Sequence, residues 1–329
     1  MKIAKPIRDA FDNGEALYIR LKREVREVLK PRVEDCGWFY RDRVKGLESF
    51  ALKVETGRYP DYARLEDFFA CTVIVPTFSH LPEAITLISG VFEIVERRPK
   101  VDAETHKSAS DFIFDELRLY VKRLPAADLP PSEFDGVVFE IQIKTILQYA
   151  WGIATHDLIY KTDEVSWPKE RIAYQVKAML EHAELAIAEA GQLSLAPAVS
   201  KQDNRTRDIL KVIEQLRSVW TGSDMLPDDL KRLAESIVAV LRAGDVQVER
   251  LTEILLFEQR RIGLLPNDLS PYSFIVQALA NHPDIHFEGN FKRNHIRIKL
   301  VIHDGMELPA SMRVPHNRII VLQPLSVTM

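Results

Sequence analysis

Residues 135–161, DGVVFEIQIKTILQYAWGIATHDLIYK, decide how this chain is organised. From Val137 to Lys144, apolar Val137, Phe139, Ile141 and Ile143 alternate with Val138, Glu140, Gln142 and Lys144. Successive side chains of a strand point to opposite faces, so one face packs a core while the other aligns a carboxylate, an amide and an ammonium. Alternation by itself asks for no more than an antiparallel strand with one wet face. Thr145, however, opens an amphipathic helix carrying Trp151, His156, Tyr160 and Lys161. The polar strand face therefore runs into a helix rich in groups that can bind a ligand.

Working outward, residues 14–32 place Leu17, Leu21, Val25, Val28 and Leu29 at helical spacing, with Pro31 as the expected limit. Arg20, Lys22, Arg23, Arg26 and Lys30 on that helix read as a solvated face. A second helix is expected from near Trp38 through RVKGLESFALKVE (43–55). Strands are expected at 71–75, 92–96, 112–122 and 137–144, with helices at 81–89 and 167–190. Helices before, between and after the strands predict an α+β domain on one mixed sheet flanked by helices. The proline-bearing polar stretch GQLSLAPAVSKQDNRT from Gly191 reads as a linker. It separates a first domain, 1–192, from a second, 205–329. The second is expected to be helical and then small α/β, with a helix at 271–282 and strands at 295–303 and 318–323. Residues 205–329 carry no recognisable chemistry.

The chain has 329 residues, 46% hydrophobic and 28% charged, enough for about two domains with real cores. A net charge of −4 gives no general expectation of nucleic-acid binding, although a local basic cluster can still hold phosphates. Cys36 and Cys71 are too few for a disulfide framework or a cysteine zinc site. No signal-like h-region and no run of about 18 apolar residues occurs, so no membrane partner is expected and the cytoplasm is the expected location.

The 135–161 segment closely resembles the synthetase signature of RelA/SpoT-type enzymes. There, a strand reading E-[VI]-Q-I-[RK]-T precedes a helix with a tryptophan and an H-x-x-x-Y-K ending. Two upstream blocks follow in the family's order. Arg43, Lys45, Ser49 and Lys53 resemble R-x-K-x-x-x-S-x-x-x-K, and Asp67, opening DFFACTVIV, resembles the aspartate of D-[ILF]-x-[GA]-x-R-[IV].

The resemblance covers roughly residues 14–190. It implies a nucleotidyltransferase-like synthetase fold and transfer of pyrophosphate from ATP to the ribose 3′-hydroxyl of GDP or GTP in alarmone metabolism. Asp67 and Glu140 would be catalytic and would bind Mg2+, with Glu140 completing the site or acting as general base. Arg43, Lys45, Ser49 and Lys53 would bind ATP. Phe114, Glu116, Arg118, Gln142, Lys144, His156 and Tyr160 would line the acceptor side. A homo-oligomer is compatible with this layout.

Read one at a time, several of these residues have blander explanations. Asp67 alone reads first as a cap or loop residue, Arg43–Lys53 as an exposed basic helix face, His156 as a core histidine and Trp151 as core.

Two departures from the pattern stand out. Thr72 occupies the position where the family places an arginine, five residues after the aspartate. The acceptor loop G-Y-x-S-x-H has no counterpart. Its nearest substitute is FDELR, with Phe114, Glu116 and Arg118 in place of tyrosine, serine and histidine. An aromatic platform survives, but stacking tolerates any base, so guanine specificity is open. One alternative keeps the chemistry with a tRNA 3′ end or an adenine nucleotide as acceptor, as in toxin or phage-defence relatives restrained by an added domain. Another is a catalytically weak nucleotide-binding module. No hydrolase domain precedes the synthetase block, and His156-Asp157 lacks companion ligands at metal spacing.

Overall fold

The apolar half of each alternating segment goes to one side of a five-stranded sheet. A computed structural model describes residues 2–56, 66–100, 108, 116–124, 132–156, 165–222, 224–263, 268–293, 296–314 and 316–322. The chain forms two units, Met1–Val199 and Ser200–Met329. The division falls within the polar 191–206 stretch.

In the first unit, α1 (Lys5–Asp35) leads into β1 (Phe39–Val44), α2 (Leu47–Glu55), β2 (Phe69–Val75), α3 (Leu81–Ser89) and β3 (Phe92–Arg98). Then come β4 (Leu117–Arg123), β5 (Phe139–Thr145), α4 (Ile146–Thr155), α5 (Trp167–Ala188) and the single turn α6 (Ala190–Leu193). The sheet order is β1-β2-β5-β4-β3. β2 and β5 are parallel and the other pairs antiparallel, so the sheet is mixed and flanked by helices. β2, FACTVIV, buries every residue except the partly covered Thr72, as a central strand sealed on both faces does.

α1 lays Phe11, Tyr18, Leu21, Val25, Leu29 and Val33 on the apolar side of the sheet. Phe68, just ahead of β2, sits inside a ring of aromatics. Its centroid lies 4.4 Å from Tyr18, 5.3 Å from Phe11 and 5.4 Å from Phe50. Such pairs add to the area term.

Two expectations are corrected. Residues 39–44 form the edge strand β1 and not the start of a helix, which begins only at Leu47. FYRDRV alternates, with Tyr40 buried between exposed Phe39 and Arg41, and pairing with β2 outweighs its charged composition. Pro31 lies inside α1, which runs on to Asp35. Fully buried Leu29 and Val33 offset the roughly 3 kcal/mol that an interior proline costs. The 112–122 strand begins at Leu117 among the described residues, with 109–115 outside them.

The second unit has its own core. It comprises α7 (Asn204–Val219), α8 (Leu230–Ala243), α9 (Leu251–Ile262), α10 (Pro271–Asn281), α11 (Phe287–Phe291) and the short parallel pair β6 (Leu300–Ile302) and β7 (Ile319–Val321). These strands are shorter than the alternation at 295–303 and 318–323 suggested. Buried Glu258 accepts hydrogen bonds from Arg261 (2.8 and 2.7 Å), Gln277 (2.8 Å) and Asn281 (3.1 Å), which makes it a structural tie between α9 and α10. No helix among the described residues is long and apolar enough to cross a membrane.

Truncating Phe68→Ala is expected to destabilise the first unit by about 3–5 kcal/mol, as for other large aromatics removed from a core. Urea unfolding monitored by circular dichroism measures this, and a loss below about 1 kcal/mol would contradict the packing role.

Candidate active site

Sheet register sorts the polar side chains into two rows on the face opposite the core. Arg43, Ala70, Glu140, Tyr120 and Glu96 are successive cross-strand neighbours, as are Arg41, Thr72, Gln142, Arg118 and Arg98. With strands spaced about 4.8 Å apart, the backbones of Arg43 and Glu140 are roughly 10 Å apart. A cleft of about 360 Å³ opens over part of these rows, lined by Arg43 and Ala70 of the first and by Arg41, Thr72, Gln142 and Arg118 of the second. Its walls include Arg41, Arg43, Glu116, Arg118, Gln142 and Lys144 from the sheet and Tyr149 and His156 from the end of β5 onward.

α4 is positioned by a capping box. Thr145 Oγ1 accepts from the Gln148 amide at 3.1 Å, and Gln148 Oε1 accepts from the Thr145 amide at 3.1 Å. The Thr145 hydroxyl also donates to buried Glu184 of α5. This joint fixes the direction in which α4 leaves the sheet, and so where His156 arrives. Trp151 is core, donating to the Ala173 carbonyl at 2.9 Å.

Glu140 is 3% exposed. A buried carboxylate needs donors. It accepts from Tyr120 Oη at 3.2 Å and from the Gln142 amide, with the Arg118 guanidinium 3.9 Å away. Burial and the Glu140 charge push the Tyr120 phenol up to about 12, so it stays a donor.

Asp67 lies two residues before β2, where the Lys45 amide donates to the Phe68 carbonyl at 2.8 Å. Its Oδ2 accepts from Lys45 Nζ at 2.9 Å and from Lys53 Nζ. Burial raises the Asp67 carboxyl, but the two ammonium groups outweigh it and hold it below the usual value. Lys45 in turn is drawn down, because burial outweighs the attraction of Asp67. The Asp67 Oδ1 is buried with no hydrogen-bond partner among the described residues. Glu66 feels both carboxylates: burial and then the charges of Glu96, Glu140 and Asp67 raise it, against Arg98.

Glu116 accepts from Lys144 Nζ at 2.8 Å and from Arg118 at 2.5 Å. Burial pushes this carboxyl up, yet Lys144 and Arg118 together hold it at about 2.

The structure thus gathers Arg43, Glu116, Arg118, Gln142, Lys144 and His156 around one cleft, with Glu140 on the same sheet face. Lys45 and Lys53 are turned onto Asp67. Ser49 is exposed on α2 and does not line the cleft. Phe114 and Tyr160 lie outside the described residues. The sequence reading passed over Arg41, Glu66 and Arg98. Arg41 was legible as the residue two before Arg43, on the same face once 39–44 is a strand.

Residues 42–165 match the family model described as the region found in RelA / SpoT proteins. The chain carries a RelA/SpoT-type synthetase domain. Among solved structures, this chain is similar to small alarmone synthetase 2 from Bacillus subtilis, with 15% identity over 55% of this chain and 98% of that one (TM-score 0.44). A GTP pyrophosphokinase family protein from Streptococcus pneumoniae shares 20% identity over 57% of this chain and 93% of that one (TM-score 0.40). Small alarmone synthetase 1 from Bacillus subtilis shares 19% over 58% and 95% (TM-score 0.40). None of the curated proteins compared with the chain matches it. The RelA/SpoT match runs from within β1 through α4 and takes in every residue of the two sheet rows except Arg41.

Because folded Glu116 titrates near 2 and the ordinary value is 4.5, the unfolded chain takes up this proton first. Its stabilising contribution is full above about pH 4.5 and is lost as pH falls towards about 2. Thermal midpoints between pH 5 and 3 are therefore expected to fall less steeply in Glu116→Gln than in the unaltered protein. Parallel pH curves would contradict the Lys144–Glu116–Arg118 linkage.

Proposed function

We propose that the domain transfers pyrophosphate from ATP to the 3′-hydroxyl of a guanine nucleotide, GDP or GTP. The observation that carries this reading is buried Glu140 on the same polar sheet face as a cleft walled by guanidinium and ammonium groups. A buried carboxylate beside several cations suits proton removal from a hydroxyl next to a polyanion. The family match supports the pyrophosphokinase class. For the nucleotide ligands, small alarmone synthetase 1 from Bacillus subtilis has been solved bound to its product pppGpp and, separately, to AMPCPP.

The site residues fit a divalent cation. Asp67 Oδ1 is a buried acceptor without a hydrogen-bond partner among the described residues, and Glu140 is a second oxygen donor. Magnesium needs only one or two carboxylates when phosphates and water complete its shell. Asp67 and Glu140 would hold Mg2+, which would supply charge neutralisation on the ATP phosphates.

The chain's own groups account for the rest. Lys45 and Lys53 keep Asp67 ionised and lie next to the donor phosphates. Arg43 grips those phosphates from the sheet edge. Tyr120 and Gln142 orient Glu140 through its two oxygens, leaving it to accept the proton of the attacking hydroxyl. Arg118, Lys144 and His156 border the acceptor, with Glu116 pinning Arg118 and Lys144 in place.

Incubation with Mg2+, γ-labelled ATP and, separately, GDP, GTP, ATP or deacylated tRNA tests the proposal. Label is expected on the guanine nucleotides, whereas label only on tRNA or ATP would refute the acceptor. Glu140→Gln and Asp67→Asn are each expected to lower the rate about a hundredfold or more. Near-normal transfer in either variant would overturn these roles.

A further inference from the structure

Most cations near the cleft already hold a carboxylate. Lys45 and Lys53 share Asp67, and Lys144 and Arg118 share Glu116. Arg41 and Arg43 differ. Both are exposed, both line the cleft, and neither makes a hydrogen bond or salt bridge among the described residues. The carboxylate between them in sequence, Asp42, is bound to Lys22 and Arg26 of α1 and is not available to them.

Their cross-strand neighbours on β2 are the small residues Thr72 and Ala70, so the floor in front of both guanidiniums is low and uncharged. Two residues along a strand put the pair about 7 Å apart on one face, a spacing that lets each grip a different phosphoryl group of one polyphosphate. Guanidinium groups bind phosphate oxygens in pairs and cannot be deprotonated.

We propose that Arg41 is a second donor-binding residue, clamping the phosphate chain of a nucleoside triphosphate together with Arg43 from the β1 edge. This rests on the reading of the cleft as the ATP site. The clamp acts on the phosphates beyond the first, so it discriminates triphosphate from monophosphate and leaves base recognition to other groups.

Calorimetric titration of the 329-residue chain with ATP and with AMP tests it. Arg41→Thr is expected to weaken ATP binding about tenfold to a hundredfold, the range for one charge-assisted contact, and to change AMP binding far less. Because residues 41 and 72 are direct cross-strand partners, the exchange Arg41→Thr/Thr72→Arg returns a guanidinium to the same face one strand inward. It is expected to recover most of the ATP affinity, which a purely structural role for Arg41 would not allow. Arg41→Lys keeps the charge at the edge and is expected to fall between the two, which guards against a folding defect in the threonine variant. Unchanged ATP affinity in Arg41→Thr, equal losses for ATP and AMP, or an exchange variant no tighter than Arg41→Thr would each overturn the assignment. Failure of the unaltered protein to bind ATP would instead remove the reading of the cleft on which it rests.

Discussion

The parallel pairing of β2 with β5 is the constraint on which the first unit depends. It sets Ala70 beside Glu140 and Thr72 beside Gln142. Every other residue on both strands is driven into the core: Phe69, Cys71, Val73 and Val75 from one, Phe139, Ile141 and Ile143 from the other. A slip of one residue would turn all seven onto the polar face and send Glu140, Gln142 and Lys144 into the apolar core. The apolar side therefore enforces the placement of the polar side, and no contact among the polar groups has to specify it. Where β5 ends, the Thr145–Gln148 capping box and the Thr145–Glu184 bond carry that register into α4 and α5.

Holding so many charges on one sheet face requires local balance, and the balance achieved is uneven. Asp67 faces two ammonium groups, and Glu116 faces one ammonium and one guanidinium. Each carboxylate thus has one cation more than neutrality demands. Arg41 and Arg43 add two further charges without a carboxylate partner among the described residues. The whole chain carries −4, yet this face is locally positive apart from Glu140 and the Glu66–Arg98–Glu96 group at its far side. A low-polarity wall focuses such a field, which is how a chain of negative net charge can hold a polyanion.

The sequence disclosed the parts of this arrangement that depend on local periodicity. The alternation of 137–144, the helix at 81–89 and the helices of residues 204–262 follow from spacing alone, and Asp67, Glu140 and the basic block were visible as an ordered set. What escaped was decided by partners distant in the chain. Residues 39–44 look helical because Arg41, Asp42 and Arg43 are poor strand formers, and only pairing with β2 makes them extended. Glu66 joins the site through Arg98, 32 positions away, at 3.9 Å. The turning of Lys45 and Lys53 onto Asp67 depends on the β1–α2 corner, which the helical reading of 39–44 had erased.

That misread strand shows why charge on an edge can serve two ends at once. Its inward carboxylate, Asp42, is held below its usual value by Arg26 and Lys22 against the cost of burial, and this tie fastens β1 to α1. With Asp42 committed inward, alternation leaves Arg41 and Arg43 no direction but the open face. An edge strand bearing three charges in six residues also resists pairing with a further strand, because a neighbour would have to desolvate them. The features that make FYRDRV look unlike a strand are therefore those that keep the sheet edge free and its guanidiniums available to a ligand.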